Sequence, residues 1–304
     1  MRAPKTLCPP PLSCRRMVLG VFELVVFVLG PALLAGLAGS VLGVGGGIFL
    51  VPYLTLMPAL RLPLPQAIAT SLVGVIATSS GAASVYVRDR LTNLRLGMFL
   101  EVATTLGAIV GALVAVYVNP VFLFIAFGGV VAGAAAYMLH TKEGARDRAG
   151  SPEEETGLAA RLRLSSMYFD PEDRAVYRYR VTRPMAGFAA SAVAGGVSGL
   201  LGVGGGFIKV PAMNVMMRVP MKVAIATSNF MIGVTAAASA LIYYSRGLVD
   251  PSVASMVIVG VFLGTLLGTR ILVRVPAREI RVVFAVLLIG VSVAMIAKGV
   301  GVLP

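Results

Sequence analysis

Long apolar stretches dominate this chain and restrict what it can fold into. The stretches at 17–60, 96–139 and 252–273 each contain a window of about 20 residues that can span a bilayer. Only 13% of the 304 residues are charged and the mean hydropathy is +0.91, whereas a soluble domain carries roughly a quarter charged residues. The sequence therefore predicts an integral membrane protein of the cell membrane with several spans.

These stretches favour helices over strands. They are long and show no alternation of apolar and polar residues, and an open sheet cannot face lipid because its edge groups would lack hydrogen-bond partners. The predicted fold class is an all-α integral membrane bundle of about 8–10 segments.

The chain is an internal duplication. The sequence GVGGG at 43–47 returns at 202–206, Val51-Pro52 returns as Val210-Pro211, and AIATS at 67–71 returns at 224–228. Tyr86 then aligns with Tyr243, and the pairs Gly107 with Gly264 and Gly111 with Gly268 follow at nearly the same offset. Ordered matches of this kind predict two structural repeats.

Four regions follow from this pattern. We predict a disordered tail at 1–16, a first membrane repeat at 17–139, a charged connector at 140–184 on the cytoplasmic side, and a second repeat at 185–304. Each repeat contains five apolar segments, and the predicted segments lie near 17–42, 47–58, 65–87, 96–118, 121–139, 185–204, 206–217, 221–245, 252–273 and 280–301.

The number of crossings is open at this point. Arginines at 15–16 and in the connector both favour the cytoplasm. If both lie there, the first repeat crosses the membrane an even number of times, so one of its five segments is half-spanning, and the short segment after each GVGGG is the candidate. If all five segments cross, the two repeats are inverted relative to one another. The connector stretch 158–169 is consistent with a short amphipathic helix, and 177–181 with a brief strand.

Composition excludes several function classes. The net charge of +13 comes largely from bases in short connections, which indicates membrane anchoring and not nucleic-acid binding. Two cysteines in the tail and a single histidine, His140, provide no disulfide framework and no zinc-ligand set. We predict no enzyme activity, no metal and no cofactor.

The GVGGG motifs are built to interrupt helices. Three glycines in a row each cost a helix about 1 kcal/mol relative to alanine, and a proline five residues later removes a backbone donor. Paired interrupted helices in two repeats indicate a transporter's central site, where glycine exposes the main chain and a helix N-terminus attracts anions. The alternative is close helix packing through small residues.

The motifs also carry a family resemblance. SGLLGVGGGFIKVPAMN and GSVLGVGGGIFLVPYL, with the paired AIATS segments and the charged connector, resemble the sulfite exporter TauE/SafE family over essentially 17–302. The resemblance implies a duplicated helical permease for sulfite, an organosulfonate or a related small anion, with the glycine-proline motifs meeting near a central site.

Polar residues near the motifs complete the predicted site. Buried hydroxyls and amides can donate to sulfur-oxyanion oxygens, although each can also bond to a neighbouring helix. The predicted substrate-binding residues are Gly45, Gly46, Gly47, Pro52, Thr70, Ser71, Gly204, Gly205, Gly206, Lys209, Pro211, Asn214, Thr227, Ser228 and Asn229. Weaker candidates are Thr78, Ser79, Ser80 and Thr235.

Two charged residues have competing interpretations. Lys209 replaces Leu50 of the first repeat, so it is either the counter-charge for an anion or a side chain that extends to the membrane interface. Glu101 is the candidate for proton coupling, and a head-group or Arg95 partner is its plainer explanation. Glu23 is a second intramembrane acid.

The function predicted from these observations is secondary transport of a small, sulfur-containing anion by alternating access. An anion channel and a permease for small carboxylates are the alternatives. The predicted partners are the anionic substrate and the lipid bilayer, and not nucleic acid, with a homodimer left open.

Overall fold

A computed structural model describes residues 21–57, 60, 62–115, 117–140, 157–170, 175–272 and 277–301. The predicted disordered tail at 1–16 lies outside the described residues, as does 141–156 of the connector. The side chain of Glu23 is likewise not described.

The first repeat forms five helices in the order predicted. They are α1 (Val21–Leu42), α2 (Gly47–Leu56), α3 (Leu64–Arg88), α4 (Leu94–Ala115) and α5 (Pro120–His140).

The second repeat has the same succession. It contains α7 (Pro184–Leu201), α8 (Gly206–Pro211) with a π-helical turn at Ala212–Met216, α9 (Met221–Ser245), α10 (Pro251–Leu272) and α11 (Ala277–Gly299). The all-α membrane fold is confirmed, because five helices in the described part of the chain are long and apolar enough to span a membrane. Those spans are Leu64–Arg88, Leu94–Ala115, Pro184–Leu201, Met221–Ser245 and Pro251–Ile271.

The connector contributes the short helix α6 (Leu158–Arg161) and a hairpin of strands β1 (Ser166–Asp170) and β2 (Ala175–Tyr179). The interpretation of 158–169 as one amphipathic helix is therefore wrong beyond Arg161. Arg163 adopts a left-handed φ of 48°, which ends the helical turn. The interpretation of 177–181 as strand agrees with β2 in part.

Glycines allow the two repeats to interlock. Helix α4 packs along α7, and the corresponding α10 packs along α1. A Cβ on Gly107 would overlap the carbonyl oxygen of Ala192, and one on Gly264 would overlap that of Leu33. The aligned glycines of the duplication therefore serve close contact between helices of different repeats.

Corresponding helices run antiparallel. In the α3–α9 pair, Tyr86 near the end of α3 shares a cluster with Ala226 near the start of α9. In the α5–α11 pair, Ser292 bonds the carbonyl of Gly128 while Gly299 lies against Phe124. The repeats are thus inverted relative to one another about a two-fold axis across the helices. The inverted alternative assumes that all five segments cross, whereas the ten-residue α2 is too short to do so.

Helix α2 turns the chain back toward the end where α1 begins. Its ten residues span about 15 Å, half of the hydrocarbon core. Tyr53 in α2 donates a hydrogen bond to the carbonyl of Phe27 in α1, which places the C-terminal part of α2 beside the start of α1. The start of α1 and the connector consequently lie at opposite ends of the bundle.

The other end of the bundle holds the connector hairpin, together with the end of α3 and the starts of α4 and α9. We call it the connector end. The two strands present one face to it, with Tyr168 and Tyr179 partly or fully buried, while Met167 and Phe169 are exposed. Leu164 and Tyr179 share a core cluster with Leu96 of α4 and Val223 of α9.

Candidate functional site

Both GVGGG motifs separate two helices. Helix α1 ends at Leu42 and α2 begins at Gly47, while α7 ends at Leu201 and α8 begins at Gly206. Between them, Gly43, Gly45 and Gly46 have φ values of 70°, 84° and 73°, and Gly202, Gly204 and Gly205 have values of 71°, 81° and 73°. Only glycine adopts this left-handed backbone without strain, which explains the repeated residue type.

The two motifs lie directly against each other. A Cβ on Gly47 would overlap the carbonyl oxygen of Gly202, and a Cβ on Gly206 would overlap that of Gly43. Val75 and Ile232, which correspond in the two repeats, both flank this contact. We call the contact between residues 43–47 and 202–206 the glycine junction.

Serines of the AIATS segments secure the junction across the repeats. Ser71 of α3 donates a hydrogen bond of 2.9 Å to the carbonyl of Gly202, and Ser228 of α9 donates one of 2.8 Å to the carbonyl of Gly43. Both serines are fully buried. Both hydroxyls are therefore donors to main-chain carbonyls at the helix ends, and the single proton of Ser71 is shared between Gly202 and the carbonyl of Ile68 in its own helix, 2.8 Å away.

The neighbouring threonines differ from one another. Thr227 accepts a hydrogen bond of 3.0 Å from the main-chain N–H of Asn93, in the loop between α3 and α4. The hydroxyl of Thr70 is buried and has no hydrogen-bond partner in the described part of the chain. Thr70 therefore lacks the loop contact that its counterpart Thr227 makes, and the described residues leave its hydroxyl unused.

Asn229 gives the second repeat a polar group where the first has Leu72. Its side-chain amide donates to the carbonyl of Ser40 at 2.9 Å and to that of Ile225 at 3.2 Å. The Oδ1 atom is buried and accepts no hydrogen bond from the described residues. Ser79 in turn donates to the main-chain carbonyl of Asn229.

Lys209 lies at the end of α8 with its side chain fully buried. Its Nζ donates to Thr235 Oγ1 at 2.9 Å and lies 3.9 Å from Glu101 Oε2. The alternative in which Lys209 extends to the membrane interface is therefore wrong. An ammonium without water needs such partners, because the cost of burying an unpaired charge is several kcal/mol.

Glu101 closes this cluster from the first repeat. Its Oε1 accepts hydrogen bonds from Thr105 at 2.9 Å and from Thr235 at 2.8 Å. Oε2 is buried and accepts no hydrogen bond from the described residues, with the Lys209 ammonium as its neighbour. Arg95 is not its partner in the described structure, so that part of the plainer explanation of Glu101 is wrong. We call Lys209, Glu101, Thr235 and Thr105 the ionic cluster.

Among its described residues, the first repeat has no equivalent of the ionic cluster. Leu50 stands where the second repeat has Lys209, and it packs with Val257 and Val261 in an apolar cluster. Thr78, which corresponds to Thr235, bonds the carbonyl of Gly74 within its own helix at 3.1 Å. The two halves of the glycine junction are thus similar in backbone and different in charge.

Other predicted residues serve the framework. Asn214 donates to the carbonyl of Val219 at 3.0 Å in the turn before α9, and Ser80 bonds Ile76 within α3 from an exposed position. Pro52 lies inside α2 and Pro211 ends α8.

Thr105, Tyr86 and Tyr243 were not among the predicted site residues. The tyrosines bond the carbonyls of Ser40 at 3.1 Å and Gly199 at 2.9 Å, just before the motifs. The alignment of Tyr86 with Tyr243 in the duplication was the sequence signal that could have identified the two tyrosines.

Comparison with known proteins places this geometry in context. The sequence model of the family described as Sulfite exporter TauE/SafE matches residues 28–295. The probable membrane transporter protein YunE of Bacillus subtilis (strain 168) is 28% identical over 282 residues, which cover 91% of this chain and 98% of that protein.

Two Xylella fastidiosa relatives have a similar extent. A probable membrane transporter protein of strain 9a5c is 28% identical over 273 residues, which cover 89% of this chain and 94% of the relative. Its counterpart in strain Temecula1 is 27% identical over 276 residues, with the same shares of the two chains. No solved structure matches the chain.

Proposed function

Because this chain belongs to the sulfite exporter TauE/SafE family of membrane permeases, we propose that it is a secondary transporter of a small sulfur-containing anion such as sulfite or an organosulfonate. Lys209 is the observation that carries the proposal. Among the basic side chains that the structure describes, it is the one that is buried, and it stands three residues after the second glycine motif.

The chemistry of the site suits a compact oxyanion. The ammonium of Lys209 supplies the counter-charge, and the hydroxyl of Thr235, which donates to Glu101 in this arrangement, supplies a donor beside it. In a medium of low dielectric, an anion is held more tightly by one buried cation than it would be in water. Sulfite and sulfonates present three oxygens that accept such bonds, which favours them over apolar solutes.

Glu101 competes with the substrate for Lys209. In the arrangement described, its carboxylate neutralises the ammonium from 3.9 Å. A substrate anion that takes this place leaves Glu101 without a counter-charge, so the carboxyl group must take up a proton. The anion and one proton then move together, which makes proton coupling the expected driving force.

Alternating access follows from the symmetry of the repeats. The glycine junction is formed by two inverted halves, with matching serine bonds to Gly43 and Gly202. Lys209 has no exposed surface, so its ammonium is out of contact with solvent in this arrangement. We propose that the two inverted repeats exchange conformations, and that this exchange opens the site first to one side of the membrane and then to the other.

The orientation follows from the basic residues. Among the described residues, the connector end carries Arg88, Arg90, Arg95, Arg183, Arg218, Lys222 and Arg270, while the opposite end carries Arg246 and Lys298. Bases accumulate on cytoplasmic loops. This excess of bases supports our proposal that the connector lies in the cytoplasm.

The test is transport by purified protein in liposomes. Radiolabelled sulfite and a short alkyl sulfonate are offered with and without an imposed proton gradient, with protein-free liposomes as the baseline. We expect saturable, concentrative uptake that collapses when an ionophore dissipates the gradient. The matched variants are Lys209→Met with Glu101→Gln, expected to be inactive, and Arg178→Gln on the connector hairpin, expected to be active.

Other outcomes would replace the proposal. Uptake that follows only the anion gradient, without saturation, indicates a channel. Uptake of carboxylates in place of sulfur anions indicates a carboxylate permease, and a double variant with undiminished uptake removes the ionic cluster from the mechanism. Light scattering on the same preparation decides between a monomer and a homodimer.

A further inference from the structure

A second polar site lies outside the membrane core, at the connector end. A cavity of about 330 Å³ separates the loop between α3 and α4 from the connector. Its lining is more polar than apolar and consists of Thr92, Asn93, Leu94, Arg95, Arg163, Ser165 and Ser166. We call it the connector pocket. Its volume is at the lower end of the range for small-molecule sites.

The walls of the connector pocket are fixed by Asn93. The amide of this side chain donates to the carbonyl of Leu164 at 2.7 Å and to the hydroxyl of Tyr179 at 2.9 Å, both in the connector. Its Oδ1 accepts from the N–H of Leu96 at 3.1 Å in the first turn of α4. One buried residue thus joins the connector to the bundle beside the cavity.

Two arginines line the cavity, one from the bundle and one from the connector. Arg95 belongs to the first turn of α4, and Arg163 belongs to the connector. Within the described ranges, neither is paired with an acidic side chain. The N-terminal end of α4 adds a favourable dipole for negative charge.

Hydroxyl groups complete the donor set. The Oγ1 atom of Thr92 is buried and has no partner in the described structure. Ser165 accepts a hydrogen bond of 3.0 Å from the N–H of Val181, and no acceptor for its own hydroxyl proton is found among the described residues. Two guanidinium groups with free hydroxyl donors form the pattern that recognises a phosphate-type oxyanion.

We propose that the connector pocket binds a phosphate group carried by a small molecule or a lipid head group. The bound dianion links Arg95 to Arg163 and so holds the connector against α4. Because α4 also carries Glu101, and Asn93 bonds Thr227 of the AIATS segment, occupancy restrains the elements that must move during transport. The site is therefore a regulatory one, separate from the ionic cluster.

The first experiment measures thermal unfolding of the full chain in neutral detergent with increasing inorganic phosphate, against chloride at equal ionic strength. We expect a phosphate-specific rise in Tm, since a ligand that prefers the folded state stabilises it. Arg95→Gln and Arg163→Gln should each weaken the apparent affinity about tenfold, the scale of one lost charge-assisted bond. The control Arg178→Gln, on the exposed face of β2, should keep the wild-type response.

Two further arms separate the sources of the signal. The double variant Lys209→Met with Glu101→Gln removes the proposed transport site, so a response retained there belongs to the connector pocket. Nanodiscs of phosphatidylcholine with and without phosphatidic acid then show whether a lipid head group replaces soluble phosphate. The proposal is overturned if neither probe raises Tm, or if the arginine variants respond as the wild type does.

Discussion

The hydroxyl of Ser228 in the second repeat donates a hydrogen bond of 2.8 Å to the main-chain carbonyl of Gly43 in the first. Ser71 and Gly202 form the same bond with the repeats exchanged. Each GVGGG motif is thus held by a serine from the other repeat. Each motif ends a helix of its own repeat. In the folded chain it also forms one half of the contact between the repeats.

Removal of either serine should destabilise the junction. Ser71→Ala or Ser228→Ala leaves a buried carbonyl without its donor, which costs about 1–3 kcal/mol of unfolding free energy. Unfolding in mixed detergent micelles measures the change. Ser80→Ala is the matched control, because that exposed hydroxyl bonds only its own helix, and an equal loss there would contradict the cross-repeat role.

Gly47 and Gly206, the first residues of α2 and α8, should not tolerate a methyl group. Gly206→Ala and Gly47→Ala place a Cβ against the carbonyls of Gly43 and Gly202, so the motifs must separate. We expect low yield of folded protein by size-exclusion chromatography. Gly129→Ala and Gly290→Ala, which have open space around the new methyl, should behave as wild type.

The ionic cluster should show strong coupling between its charges. Lys209→Met alone leaves the Glu101 carboxylate buried without its counter-charge and should cost about 3–5 kcal/mol. Glu101→Gln in the same background removes the uncompensated charge and should recover much of that loss. A double-mutant cycle on thermal unfolding checks this, and additive effects of the two changes would argue against a coupled pair.

Attachment of the connector should weaken under strongly alkaline conditions. Burial raises the pKa of Tyr179 to about 12, above the unperturbed value of about 10 for tyrosine. The stabilisation by the neutral phenol is therefore constant below about pH 10 and is lost as the pH rises toward about 12.

Tyr179→Phe isolates this group. The variant loses the bond to Asn93, worth about 1 kcal/mol, but has no proton to release. The difference in Tm between the wild type and the variant should shrink between about pH 10 and pH 12. A difference that stays constant across this range would show that Tyr179 does not titrate with unfolding.

Several features were determined by sequence alone because their causes are local. An apolar run long enough to cross hydrocarbon forms a helix whatever its neighbours are, since its backbone bonds must be satisfied internally. Three glycines followed by a proline end a helix for equally local reasons, and the helices α1 and α7 do end at these motifs. The duplication likewise predicted that the two motifs belong to one arrangement.

Other features were decided only by tertiary structure. Lys209 and Glu101 lie on different repeats, and only the packing of α4, α8 and α9 brings the ammonium within 3.9 Å of the carboxylate. The predicted hydroxyl candidates Ser71 and Ser228 bond motif carbonyls because the repeats are inverted, which the pattern of segments left open. Propensity and hydropathy act over a few residues, whereas the partner of a buried charge is set by helices that meet from distant parts of the chain.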